Sequence, residues 1–445
     1  MAEEQKKHTF IGSIIRGDNW IWGIYVVLLC ISIVEIFSAT AQLTYRSVYA
    51  SDPAFSHVKN LLLGLGMLLL SQSMSLKSIR AWDKLFYIGG FALFCATIVF
   101  GEAQKGASRS IAGIQPVEVC KLGTVMLLCS AVTASDAFYH KLPVTWFRTK
   151  TRQRRFWLYL ALIVIGAGPV ATQNLSSGLI IGMASMGIMF LGSVRGKYLF
   201  RTLLVVAILG AAFLGGLKLR YNYLQDHGVS TTQVVTETKD QGLWDKLTGR
   251  VDTWAGRVWS ESTVPLWEDD MGGKNSQKIY SHMAIANGYP LGKFIGGSKL
   301  RDFLPEAFSD YIYAIIFEEW GFVPAALIPL LYLLLLFRCY VLSRRTENPF
   351  IRLLIVGLPL IICIQALIHI GVSTGAMFVT GQPLPLISRG GSSVMGTSIS
   401  FGIMLALSRI IRQEQADREA LVEEQVAEVI TDGQKELDAR LEEEK

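Results

Sequence analysis

Charge is scarce in this chain: Asp, Glu, Lys and Arg together make up 18% of its 445 residues. A soluble enzyme of this length carries closer to a quarter of its residues charged, so an ordinary water-facing surface is excluded. Cysteine is sparse as well. The six (Cys30, Cys95, Cys120, Cys129, Cys339, Cys363) fall in or beside apolar runs and none lies in a polar loop, which excludes a disulfide framework and a thiolate metal site. The six histidines are scattered without a His-x-x-x-His pair, so metal catalysis through His or Cys is not expected. No GxxxxGK[ST] loop and no dinucleotide fingerprint occurs, which removes nucleotide-driven chemistry. The polar N-terminus MAEEQKKHTF lacks the pattern of a cleavable signal.

What is abundant is apolar sequence, 51% of residues with a mean hydropathy of +0.38. It is grouped in about ten long runs, near 20–41, 60–76, 85–101, 117–134, 156–172, 177–194, 199–217, 311–337, 351–375 and 391–411. Runs of this length cross a hydrocarbon layer roughly 30 Å thick as helices. A β-barrel would show short alternating segments instead. The expected fold is therefore all-α, a polytopic bundle of about ten transmembrane helices.

Loop charge sets the orientation. The loop 135–155 holds Lys141, Arg148, Lys150, Arg152, Arg154 and Arg155 against one acid, whereas the neighbouring 172–176 has no charge. Basic loops stay in the cytoplasm. Both termini are then cytoplasmic, and the long loop 218–309, between the seventh and eighth spans, is extracytoplasmic. Within it, three tryptophans (Trp254, Trp259, Trp267) and the glycine-punctuated NGYPLGKFIGGSK predict local structure against the membrane surface. The chain divides into a cytoplasmic segment 1–19, a transmembrane domain 20–412 and an acidic tail 413–445 with twelve acids against four bases. The tail reads as a solvated helix or a disordered arm.

With that orientation the unusual polar residues converge on the outer mouth. Asp302, Glu306 and Asp310 precede the eighth run, KGASRSIAGIQPVEVCKL (105–122) precedes the fourth, and Arg389 precedes the tenth. Glu118 and Lys121 share a helix face and can pair, either as a lock between helices or facing a wet cavity. Along the eighth helix, Glu318 lies ~12 Å deeper than Asp310, on roughly the same side. Ser309 or Asp310 can be read as a plain helix N-cap. The alternative reading is chemical. A carboxylate at such a mouth suits general-base work, with nearby cations stabilising an anionic leaving group such as a lipid-linked pyrophosphate.

Three stretches carry a family resemblance. PLPLISRGGSS (383–393) resembles PLPFISYGGSS, GASRSIAGIQPVEVCKL (106–122) resembles GARRWIxxxxQPSExxKL, and LPEAFSDYIYAIIFEEWG (304–321) resembles LPEAHTDFIFAxxxEELG. All are signatures of the SEDS (shape, elongation, division and sporulation) family of FtsW and RodA type, and the likeness covers roughly residues 20–412. The LPEA wording is nearer the division-type FtsW pattern, since RodA more often has Arg where this chain has Ala307. The resemblance implies a peptidoglycan glycosyltransferase polymerising lipid II, with Asp310 as general base. It implies substrate-binding roles for Arg109, Glu118, Lys121, Arg250, Asp302, Glu306, Arg389 and Ser392. It also implies a class B penicillin-binding protein (a transpeptidase) as partner, among other division or elongation proteins, and no nucleic acid. No cofactor is required, and a divalent cation such as Mg2+ is left open. The chain departs from the family at Arg389 (for Tyr), Ser110 (for Trp), Phe308 (for His) and Asn174 (for Asp). Two rival readings stand beside this one: a lipid II flippase using Glu118, Glu318 and Glu319 as proton carriers, and a non-catalytic scaffold.

Overall fold

The computed structural model describes residues 16–39, 52–100, 102–104, 107–110, 115–134, 152–192, 194, 196–226, 276–304, 307–377 and 379–443. Arg250, Glu306, the three loop tryptophans and most of the basic loop 135–155 lie outside these residues. Among the described residues the chain forms twelve helices and one hairpin. The first half holds α1 (Asn19–Ala39), α2 (Asp52–Gln72), α3 (Leu76–Phe100), the antiparallel pair β1 (Glu102–Gln104) and β2 (Ala107–Ser110), and α4 (Pro116–Thr133). It continues with α5 (Arg152–Gln173), α6 (Leu175–Leu191) and α7 (Gly196–Asp226). The second half holds α8 (Ser276–Gly288), a 3-10 turn at Leu300–Asp302, α9 (Ile312–Trp320), α10 (Phe322–Ser343), α11 (Pro349–Ser373) and α12 (Gly391–Glu443).

Seven of these, α1, α2, α4, α7, α10, α11 and α12, are long and apolar enough to cross a membrane. α5 and α6 are shorter apolar helices, and α3 joins a charged start (Lys77, Arg80, Asp83, Lys84) to an apolar remainder. Among the described residues each apolar run is helical, 311–337 being divided between two helices, and the protein is a polytopic helical membrane protein. The core is built around α11, 78% of whose apolar window is buried, and α12, with 72%. α7 is equally apolar but only 12% of its apolar window is buried, which fits a helix at the rim of the bundle. The tail is carried by α12, which continues unbroken to Glu443 and is exposed over 416–431.

The run 311–337 is not one helix. α9 is nine residues long and stops at Gly321, whose φ of +82° is open only to glycine. A Cβ there would lie 2.6 Å from the Pro290 carbonyl oxygen, so the chain leading from α8 passes against the break. α10 alone is the span, 22 residues or about 33 Å. Asp310 sits in the turn before α9, and the N-cap is Tyr311, which makes no side-chain cap. The capping reading of Ser309 and Asp310 is therefore corrected, and Asp310 lies just outside the helix that carries Glu318.

Two polar knots mark the ends of α1 and α10, which run antiparallel. At the tail end, Asp18 is 1% exposed and accepts from Arg338 Nε at 3.1 Å and Nη2 at 2.6 Å, with Arg412 Nη2 at 3.5 Å. It also caps α1 through the Trp20 N–H at 3.0 Å. At the opposite, loop end, Ser38 of α1 donates to Glu319 of α9. Burial works to raise the Asp18 carboxyl, but the Arg338 hydrogen bond and charge, with the Ile21 and Trp20 N–H groups, outweigh it and hold it below the usual carboxylate range. A depressed folded pKa stabilises above the unfolded value of about 4 and is lost as pH falls through the folded one. Thermal unfolding of the detergent-solubilised protein should therefore come earlier as pH drops below about 4, and Asp18→Asn should flatten that part of the profile. An unchanged acid limb in the variant would show that Asp18 contributes nothing there.

Candidate active site

The signature segment after α11 has no regular structure, and its two prolines, Pro383 and Pro385, have no N–H to offer a ladder. Its buried carbonyls need donors from elsewhere. They come from three helices, α11, α10 and α1. His369 Nδ1 meets Gln382 O at 2.7 Å, Gln365 Nε2 donates to Pro383 O at 2.9 Å, Tyr332 OH to Pro385 O at 2.6 Å, and Ser32 Oγ to Ile387 O at 3.1 Å. Ser32 commits its one hydrogen to Ile387, so His57 Nε2, 2.8 Å away, is the donor to Ser32. The Gln382 amide in turn donates to Ser176 at 3.1 Å and Ser177 at 2.8 Å on α6. Helices α1, α6, α10 and α11 thus fix the stretch 382–387.

That segment carries the wall on which Asp310 lies. A Cβ on Gly381, at φ +61°, would be 3.4 Å from Asp310 Oδ2, and Ser309 Oγ donates to Asp310 Oδ1 at 3.1 Å. The two stretches run side by side: Arg389 N–H donates to Phe308 O at 3.0 Å, and Ser388 Oγ to Ser309 O at 2.7 Å. The Arg389 guanidinium lies over the Phe308 ring, 5.3 Å from its centre. Two departures from the family pattern, Arg389 for Tyr and Phe308 for His, thus meet as a cation–π pair. Asn174, a third departure, accepts from Ser176 Oγ at 2.5 Å and so joins the Gln382 network.

Glu118 and Lys121 reach the same segment from α4. Lys121 Nζ donates to Glu118 Oε1 at 2.8 Å and to Gln365 Oε1 at 2.7 Å, and Gln365 passes the link on to Pro383 O. Glu118 also packs on the first turns of α12, where a Cβ on Gly396 would lie 3.3 Å from its Oε2. Ser392, in α12's first turn, is buried. The segment from 381 to 396 accordingly runs from the Asp310 carboxylate to the Glu118–Lys121 pair. Gln365, Tyr332 and His369 were missed from sequence because a polar residue inside an apolar helix announces a partner without naming it, and Gln382 because nothing local to it points to Ser176 and Ser177.

Of the other expected site residues, Arg109 lies on β2, described for its backbone alone. Asp302 ends the 3-10 turn, its side chain 47% exposed and 3.7 Å from Arg301 Nε. Glu318 and Glu319, both buried, do a different job. Glu318 accepts from Asn287 Nδ2 at 2.6 Å, from the Lys299 N–H at 3.4 Å and from Ser298 Oγ. Glu319 accepts from the Gly296 N–H at 3.0 Å, from the Ser298 N–H at 3.4 Å and from Ser38, with Arg301 Nη1 at 3.7 Å. They pin the 288–302 loop to the ends of α1 and α9. Among the described residues no three His, Cys, Asp or Glu side chains gather as a metal site.

Fold and site together define a multi-span membrane protein that gathers a carboxylate, an arginine and a lysine–glutamate pair at one end of its bundle. The chain belongs to the FtsW/RodA/SpoVE family of cell cycle proteins, whose profile matches residues 19–413. A protein named FtsW from Geobacter metallireducens is 25% identical over 405 residues, 88% of this chain and 95% of that one. The Escherichia coli K12 peptidoglycan glycosyltransferase MrdB is 24% identical over 413 residues, 92% of this chain and 97% of that one. These identities are level, so the lean towards the division type drawn from LPEA gains no support from them. A chain of a solved peptidoglycan synthase complex, described as coordinating polymerization and crosslinking, superposes with a TM-score of 0.64 at 20% identity. It covers 89% of this chain and 99% of its own, and establishes the fold.

Proposed function

We propose that the chain is a peptidoglycan glycosyltransferase of the SEDS family that polymerises lipid II in division or elongation, with its loop end outside the cytoplasmic membrane and both termini inside. Asp310 takes the proton of the GlcNAc 4-hydroxyl on the acceptor lipid II. The freed oxygen attacks the anomeric carbon of the donor strand's terminal MurNAc in a single displacement. The new C–O bond forms as the bond to pyrophosphate breaks, so the configuration inverts and undecaprenyl pyrophosphate leaves. Arg109, Lys121 and Arg389 stabilise the charge on the departing group, and Glu118 holds Lys121 in place. Asp302, Ser392 and, outside the described residues, Arg250 and Glu306 complete the binding surface for the sugar and peptide.

The observation that carries this reading is the single buried segment 381–396 that joins Asp310 to the Glu118–Lys121 pair. A base and its cations must hold a fixed spacing for displacement chemistry, and a segment fastened from four helices supplies it. A flippase would use intramembrane acids as free proton carriers. Glu318 and Glu319 are instead engaged with the backbone of the 288–302 loop, and Glu118 with Lys121, which weighs against transport. A class B penicillin-binding protein supplies the crosslinking step, in line with the complex to which the solved relative belongs. A divalent cation such as Mg2+ would act on the pyrophosphate, and chelation during turnover decides whether the reaction draws on it.

The test uses vesicles holding fluorescent lipid II, the purified protein and its cognate transpeptidase. The reading predicts a ladder of glycan strands, with lipid II staying in its original leaflet. Leaflet exchange without polymer would replace it by the transporter.

A further inference from the structure

The loop between α8 and the 3-10 turn shows a surface that the site does not use. Leu291 is 87% exposed and Phe294 85%, far beyond what a water-facing loop normally leaves bare. Tyr289, Ile295 and Phe303 are exposed beside them, with the Lys293 ammonium among them. This is not a slack loop. Its backbone is pinned by the buried carboxylates Glu318 and Glu319, and the Lys293 N–H donates to Glu318 O at 2.9 Å. Phe294 is moreover held at a φ of +66°, a conformation that costs a bulky residue energy. A rigid frame that presents strained, bare aromatic and aliphatic side chains has a partner for them.

The height of the loop identifies that partner. Pro290 O accepts from the N–H of Phe322, the first residue of α10, at 3.0 Å, and the Tyr289 and Phe322 rings meet edge to face at 6.1 Å. α10 is about 33 Å long, close to the thickness of the hydrocarbon layer, so its first residue lies at the edge of that layer. The exposed side chains continue directly into the bare stripe of α10 at Phe322 and Val323. Aromatic and aliphatic groups interleaved with lysine at this height match the composition of a lipid–water interface.

We infer that the 289–303 loop is an interfacial foot, with Leu291 and Phe294 inserted in the lipid leaflet on the loop side and Lys293 and Lys299 at the phosphate level. The foot fixes the height of the chain that follows it, through Asp302 to Asp310, relative to the bilayer surface. A lipid-linked substrate presents its headgroup at that same height.

Nitroxide labels at Leu291→Cys and Phe294→Cys test the inference in proteoliposomes, in a chain whose exposed Cys30 and Cys95 are changed to alanine. Collisions with oxygen, which concentrates in lipid, should exceed those with a water-soluble nickel chelate at both positions. A label at Val429→Cys on the exposed end of α12 should show the reverse. Chelate collisions dominating at 291 and 294 would overturn the inference. So would protection from both reagents only when the transpeptidase is added, because a protein would then be the occupant. Leu291→Ser/Phe294→Ser should also slow polymerisation several-fold in bilayers while leaving transpeptidase binding unchanged. The collision data read the foot without any activity, so they stand or fall apart from the polymerase reading.

Discussion

Lys121→Met should cost about 3–5 kcal/mol of stability, because it leaves the Glu118 carboxylate enclosed without its cation. The pair is well shielded, with side chains 7% and 10% exposed, so solvent screens little of the 2.8 Å contact. The Lys121 bond to Gln365 goes at the same time, and with it one end of the link to Pro383. Glu118→Gln combined with Lys121→Met should recover most of the loss, since neither group then remains as a lone buried charge. Stability and chemistry separate in that double variant. If the pair is only a lock between helices, polymerisation returns along with the unfolding temperature. If Lys121 also meets the leaving pyrophosphate, as proposed, the unfolding temperature returns and polymerisation does not.

Asp310→Asn should remove about 10²- to 10⁴-fold of the polymerisation rate, the usual worth of a positioned general base. The amide is nearly isosteric, keeps an oxygen to accept from Ser309 and fits the same space against Gly381. Stability should therefore change by less than about 1 kcal/mol. What the amide lacks is a lone pair basic enough to take the hydroxyl proton in the transition state. Because Asp310 does not cap α9, an effect of this size would not be explained by a frayed helix.

The membrane helices were legible because an apolar run of span length is a one-dimensional signal that needs no partner to read. The convergence of Asp310, Arg389, Glu118 and Lys121 was legible from three motifs taken together. The break at Gly321 was not. A lone glycine inside an apolar run is ordinarily tolerated, and its necessity appears only when Pro290 is found lying against it. Nor could the Asp18–Arg338 pair be read, since 320 residues separate its members. The departures Arg389 and Phe308 each looked like a loss of family character when taken singly. They become a pair only in space, where one ring supports one guanidinium. Glu318 and Glu319 were legible as members of an internal polar network, because an acid in an apolar stretch implies a partner; what could not be read is that the partner is largely the backbone of a loop some twenty residues upstream.

The most direct test of the account is the length distribution of glycan strands made from labelled lipid II by the purified protein in complex with its transpeptidase, wild type beside Asp310→Asn at equal complex concentration. The account predicts long strands from the wild type and essentially none from the variant, with both complexes intact and unfolding at the same temperature. Strands of equal length from both would contradict it, and would leave Asp310 without a part in the chemistry.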